Sequence, residues 1–319
     1  MIYTDEKWVE QGCIDCMTLD LAYGNDENDF KLTVPIECNI PKGALVYIDG
    51  TEWGGIVRGS TASTMGDVPT NTIVGSTWHG VMAESYICPD GESYVQASGD
   101  AHEAMRRIIE RQGLHAMFDV PSRQSGFHVS YQFDRFSDVY TGLRKMLGNC
   151  GAKLRIVKDP GRKPMLSAVE ARRSIDDGQS EHIPYKISDG TPYNHIIGIG
   201  KGELEDRTVV HFYADESGNV SDAKTIYFPG ERQYLYELSN EEADKLIEEC
   251  TKKLKELQSV RTCELELPEG ECYDVGDVVG IANDDTGVSV VADVTKVIVK
   301  INEHGTATVT NEIGEVTRT

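Results

Sequence analysis

The sequence predicts a β-rich α+β chain, with two β-barrel-type modules and small α/β insertions. Three observations predict it. Short apolar runs broken by Gly, Asp and Asn fill both ends of the chain, helix-period stripes appear only in the middle and once late, and 319 residues exceed a single typical core. The expected division is an N-terminal barrel-like domain over 1–90, an α/β insertion over 91–160, and a second barrel-like domain over 161–319 that includes a helix at 239–258.

The first part contains LTVPIE, ALVYIDG, GGIVRGSTAS and NTIVGSTWHG, short runs at the regular spacing of antiparallel strands. In the middle, Asp100 is a helix cap with Glu103 at the third helical position. Met105, Ile108 and Ile109 then share a face until Gly113 ends the helix. In GFHVSYQF the residues Phe127, Val129, Tyr131 and Phe133 alternate with polar ones, the period of a half-buried strand. Ser137 opens a second helix with Val139, Tyr140, Leu143, Met146 and Leu147 on one stripe, closed by Gly148 or Gly151, and the strand AKLRIVKD comes next.

Strands return in HIPYKI, NHIIGIGKG, RTVVHFYAD and SDAKTIYF. Ser239 with Glu242 has the spacing of a capping box, and Ala243, Leu246, Ile247, Cys250, Leu254 and Leu257 form the stripe of the late helix. The remainder alternates again, with Asp-Asp-Thr-Gly and Asn-Glu-His-Gly turns joining consecutive hairpins.

Composition narrows the function. Thirty-one basic against 53 acidic side chains give a formal charge of −22, which disfavours a nucleic-acid reader, whose affinity comes from Lys and Arg on phosphates. The start MIYTDEKWVEQ lacks a basic and an apolar region, so a secretion signal is not expected there, nor is stable membrane insertion, since no run approaches the ~18–20 apolar residues of a spanning helix. The chain is expected to be made in the cytoplasm, where eight scattered Cys read mostly as buried small hydrophobes, not as a disulfide framework.

Chemistry-bearing patterns are few. Cys13 and Cys16 form a lone CxxC without a second ligand pair. The run GIGKG from Gly198 to Gly202 lacks both the P-loop ending and the dinucleotide spacing. Asp215, Ser217 and Asn219 resemble part of a calcium loop but read better as a hairpin turn. His79, His128, His195 and His211 read as packed or surface histidines. Glu203, Glu205 and Asp206 read as a solvated corner, although a glycosidase needs only two well-placed carboxylates. No catalytic, cofactor-binding or metal-binding residue is assigned, and a structural, non-enzymatic chain without cofactor is expected.

The stretch NHIIGIGKGELEDRTVVHFYADESGNV (Asn194 to Val220) resembles a segment of siphovirus tail-tip proteins of phages and prophages of Gram-positive bacteria. NTIVGSTWHGVMAESYICP resembles their strand-then-short-helix passage, and YDVGDVVGIANDDTGVSVVADVTKVIVKI their closing β-module, in which a DVGD turn feeds paired strands. The resemblance implies a baseplate-hub-like virion structural protein: a homotrimeric ring in the virion tail that joins tube to tip and lets DNA pass without specific binding. It implies as partners a distal tail protein, a tape-measure protein and a tip or fibre protein. The rival readings are a phage cell-wall hydrolase and a glycan-binding module, the latter using Trp53, Trp78 or Tyr94.

Overall fold

The computed structural model describes residues 1–15, 17–65, 68–176, 185–188, 192–239, 241–257, 262–265, 272–283, 288–314 and 317–318. The chain divides into two compact units, Met1–Ile183 with Leu267–Thr319, and Pro184–Glu266.

The first unit begins with strands β1 (Ile2–Thr4), β2 (Glu10–Cys13), β3 (Thr18–Gly24), β4 (Asp29–Pro35), β5 (Leu45–Tyr47), β6 (Gly54–Ser63) and β7 (Thr70–Thr77). Helix α1 (Trp78–Ala83) starts at once, its N-terminus capped by the Thr77 hydroxyl, which accepts from Gly80 N at 3.2 Å. Next come β8 (Gln96–Asp100), α2 (Ala101–Arg111), β9 (His128–Gln132), α3 (Val139–Gly148), β10 (Ala152–Val157), β11 (Met165–Glu170) and β12 (Arg173–Asp176). The second unit holds β13 (Tyr185–Ser188), β14 (His195–Ile199), β15 (Val209–Ala214), β16 (Val220–Ser221), β17 (Gln233–Glu237), α4 (Ala243–Leu257) and β18 (Thr262–Leu265). The chain then returns to the first unit as β19 (Val278–Asn283), β20 (Val288–Ile301), β21 (Ala307–Ile313) and β22 (Thr317–Arg318).

In the first unit twelve strands form one sheet, in the order β12-β19-β20-β3-β4-β7-β6-β5-β1-β2, with β21 and β22 also on β20. Within this sheet, among the described residues, only the β12–β19 pairing is parallel. Alternation decides the buried face: Leu19, Leu21 and Tyr23 of β3, Phe30, Leu32 and Val34 of β4, and Val297, Val299 and Ile301 of β20 share one core. The second core of this unit lies around the helices, where Trp78, Met105, Phe118, Phe133, Leu143 and Met146 are almost wholly buried.

The α/β elements obey their local signals. Asp100 accepts from His102 N at 3.0 Å and caps α2, whose Met105, Ile108 and Ile109 are buried. The cap of α3 is Asp138, one residue beyond the expected Ser137, because its carboxylate reaches Thr141 N at 2.8 Å. All five stripe residues of α3 are buried.

In the second unit β14 lies between β15 and β17, with β16 on the outer side of β15, and α4 covers one face through Leu246, Cys250 and Leu254. Two local expectations are corrected here. The late helix starts at Ala243, because the Leu238 amide bonds to Ile199 O and the Ser239 hydroxyl turns to Glu237, so no capping box forms. Of SDAKTIYF only its first residue, Ser221, is in a strand, the end of β16; the segment beyond turns so that Lys224 reaches Glu231 at 2.7 Å, and QYLYE supplies the strand.

The chain is thus β-rich α+β as expected, but no closed barrel forms among the described residues: the twelve-stranded order is an open path. A barrel needs every strand to turn alternate side chains inward, whereas all four residues of β2 at one end are exposed.

Candidate functional site

The densest buried chemistry of the first unit is built on the turn Asp274-Val275-Gly276-Asp277, which leads into β19. Its closing bond runs from Asp277 N to Asp274 O at 2.9 Å, and Gly276 takes φ +95°, a conformation that favours glycine. Two backbone bonds with Val294 of β20, at 2.9 Å and 2.8 Å, place the turn against the sheet.

The two carboxylates of this turn face different partners. Asp277, 2% exposed, accepts from Arg172 N at 2.7 Å, Asp274 N at 2.9 Å and Lys153 Nζ at 2.8 Å. Asp274 accepts from the Tyr23 hydroxyl at 3.2 Å and from Val275 N at 2.7 Å, and lies close to Glu52. Glu52 in turn meets His79 Nε2 at 3.2 Å. The His79 ring is stacked on Tyr23, centroids 4.1 Å apart, with the Tyr140 ring edge-on at 5.2 Å.

Burial governs where the protons sit. It pushes both Glu52 and Asp274 up to about 7, the negative charge of Glu52 adding to the shift of Asp274, and it pushes His79 down to about 3. His79 is therefore a neutral imidazole at neutral pH, where Glu52 is midway through its titration, so the two do not meet as an ion pair. The two acids titrate as a coupled pair that holds a shared proton near neutrality.

Linkage gives the sign. Carboxyls raised in the folded state lend stability that is complete below about pH 4 and drains as the pH climbs to about 7; His79, lowered, lends stability that is present above about 6.5 and drains as the pH falls towards 3. Glu52→Gln removes the first effect at one position and leaves the second. Its melting temperature should exceed that of the parent by a margin that widens between pH 4.5 and pH 7, by about 2–4 °C for each kcal/mol relieved. Thermal melts at four pH values read this margin, and a flat or narrowing difference rejects the protonated-acid assignment.

A cleft of about 590 Å³ lies beside the turn, lined by Arg144, Lys145, Lys153, Arg173, Val275 and Gly276 among others. Lys145 is engaged by Asp134 at 2.7 Å and Lys153 by Asp277, while Arg144 donates to Asn25 at 2.6 Å. Glu52, His79 and Asp274 are not among its lining residues. The Tyr23–Asp274 and Glu52–His79 contacts fasten β3, α1 and the turn together.

The residues singled out from sequence lie at separate places, with one exception. Cys13 is exposed, and Cys16 lies outside the described residues. Gly198 and Gly200 give α4 its close approach: a Cβ on Gly198 would stand 2.3 Å from Cys250 Sγ, and one on Gly200 2.9 Å from Leu246. Asp215 Oδ1 accepts from Ser217 N and Asn219 N, both at 2.9 Å, which makes DESGN a hairpin turn. Glu203, Glu205 and Asp206 are exposed, as is His128. Trp53 and Trp78 pack in the cores, and Tyr94 is 44% exposed. The exception is His195 and His211, read separately from sequence but brought together, with Nε2 and Nδ1 2.9 Å apart. Sequence reading missed Glu52, Asp274 and Glu231. Only the DVGD turn carried a signal, and it was a signal of architecture.

No family model matches the chain, and no curated protein matches it. Among solved structures it is similar to prophage tail protein gp18 from Listeria monocytogenes EGD-e, at 14% identity and a TM-score of 0.48, over 99% of this chain and 94% of that one. It is also similar to the 43 kDa tail protein of prophage MuSo2 from Shewanella oneidensis, at 11% identity and 0.44, over 98% of each chain. A tail protein from Neisseria meningitidis MC58 shows 11% identity and 0.42, over 96% and 93%.

Proposed function

We propose that this chain is a structural component of a bacteriophage or prophage tail tip, a baseplate hub that closes as a homotrimeric ring between tube and tip. The observation that carries the reading is where the three tail-tip-like segments fall. NTIVGSTWHGVMAESYICP is β7 running into α1, Asn194–Val220 is the ladder β14–β15–β16, and YDVGDVVGIANDDTGVSVVADVTKVIVKI holds the buried turn and β19–β20. Each likeness therefore lies in residues that build sheets, and the DVGD acids are spent on anchoring them.

In this reading the ring joins a distal tail protein and a tape-measure protein to a tip or fibre protein. DNA passes through without specific binding, consistent with a net charge of −22 that repels phosphates at short range. The chain is made in the host cytoplasm and ends in the virion tail.

The test is genetic and visual. Deleting the gene should give tailless particles or unjoined tails in electron micrographs, and an antibody to the chain should label the distal end of intact tails. Normal, infectious tails from the deletion strain reject the proposal.

A further inference from the structure

The second unit carries a constellation that the structural role does not use. His195 of β14 and His211 of β15 stand diagonally on the sheet face opposite α4, because His195 pairs with Tyr213 and His211 with Ile197. His195 is 4% exposed, and its ring lies against Tyr213 with centroids 4.4 Å apart. Its Nδ1 is 2.7 Å from Glu231 Oε1, and the other oxygen of Glu231 accepts from Lys224 Nζ at 2.7 Å. Its Nε2 points at Nδ1 of His211, an exposed residue, 2.9 Å away.

We infer that His195 and His211 form a binding site for a divalent transition-metal ion, preferring copper or nickel, with Glu231 as the positioning residue and water completing the coordination. A carboxylate on the far nitrogen of a ligating histidine fixes its tautomer and its ring, and Lys224 fixes the carboxylate in turn. Nδ1–H of His195 is committed to Glu231, which leaves the Nε2 lone pair directed at the site. His211 joins by carrying its proton on Nε2 instead of Nδ1, a tautomer change with no net loss of a proton, and its exposure lets the ring turn.

Affinity for a pair of imidazole nitrogens within the divalent first-row series favours Cu²⁺ and Ni²⁺. Among the described residues no three His, Cys, Asp or Glu side chains converge on one point, so the protein supplies two ligands.

Titrating the full chain at pH 7.5 with CuCl₂ and separately with NiCl₂, by calorimetry, should give one site, with nitrogen hyperfine structure in the Cu²⁺ resonance spectrum. His211→Ala, at an exposed position, should abolish it. Glu231→Gln should weaken it about 10–100-fold, and His304→Ala, at a turn elsewhere, should leave it unchanged. Affinity should fall as the pH drops and protons compete with the metal for the nitrogens. An isotherm that His211→Ala leaves intact, or copper without nitrogen ligation, overturns the assignment, and neither outcome bears on the tail-tip reading.

Discussion

Gly75→Val is expected to prevent folding of the first unit. Gly75 sits in β7 opposite Phe30 of β4 on one side and Val57 of β6 on the other. A Cβ there would stand 2.1 Å from Ile56 O and 2.5 Å from the Phe30 ring, which is itself 1% exposed and has nowhere to go. Strands β6 and β7 would have to part, breaking the ladder at the middle of the sheet. The expected cost exceeds about 4 kcal/mol, the range reached only by gross steric or buried-polar defects. Gly59→Ala is the matched control, since its nearest neighbour is a Val74 methyl at 3.6 Å. Soluble yield and far-ultraviolet circular dichroism decide the matter: a soluble Gly75→Val protein with the parent's melting point would contradict the packing described.

Asp277→Ala should cost about 3–5 kcal/mol, the typical penalty for stripping one partner from a buried, hydrogen-bonded ion pair. Three donors lose their acceptor at once: Lys153 of β10, the Arg172 amide just before β12, and the Asp274 amide inside the turn. Lys153 retains only Asp274, at 3.7 Å. Asp277→Asn, which keeps an acceptor oxygen and loses the charge, should fall between the two. Urea titrations of the three proteins measure the order, and a loss below about 1 kcal/mol in the alanine variant would mean that the turn is not held as described.

What the sequence revealed was local. Helices α2 and α3 and strand β9 were readable because stripe and alternation lie within a dozen consecutive residues: the buried sets Met105/Ile108/Ile109 and Val139/Tyr140/Leu143/Met146/Leu147 match the stripes, while the cap of α3 falls one residue on, at Asp138. The start of α4 was misread because Ser239 had a nearby competitor, Glu237, that captures its hydroxyl. Sheet closure was beyond reach, since whether β2 meets another strand depends on partners far along the chain. The buried acid cluster was hidden for the same reason: Tyr23 and Asp274 are 251 positions apart. The histidine pair was more accessible, because a hairpin register through the turn at 200–208 sets His195 beside His211, yet Glu231 arrives from beyond that hairpin.

The pairing of β20 with β3 sets the order in which the molecule can form as it leaves the ribosome. Strand β3 is complete after Gly24, but its partner runs from Lys296 to Ile301, almost at the other end of the chain. At ~5–20 residues per second, elongation leaves that flank of β3 unpaired for tens of seconds. The nascent N-terminal strands are thus an open template in a crowded cytoplasm until the last hairpins emerge, and a chaperone that shields this edge would raise the yield of native protein.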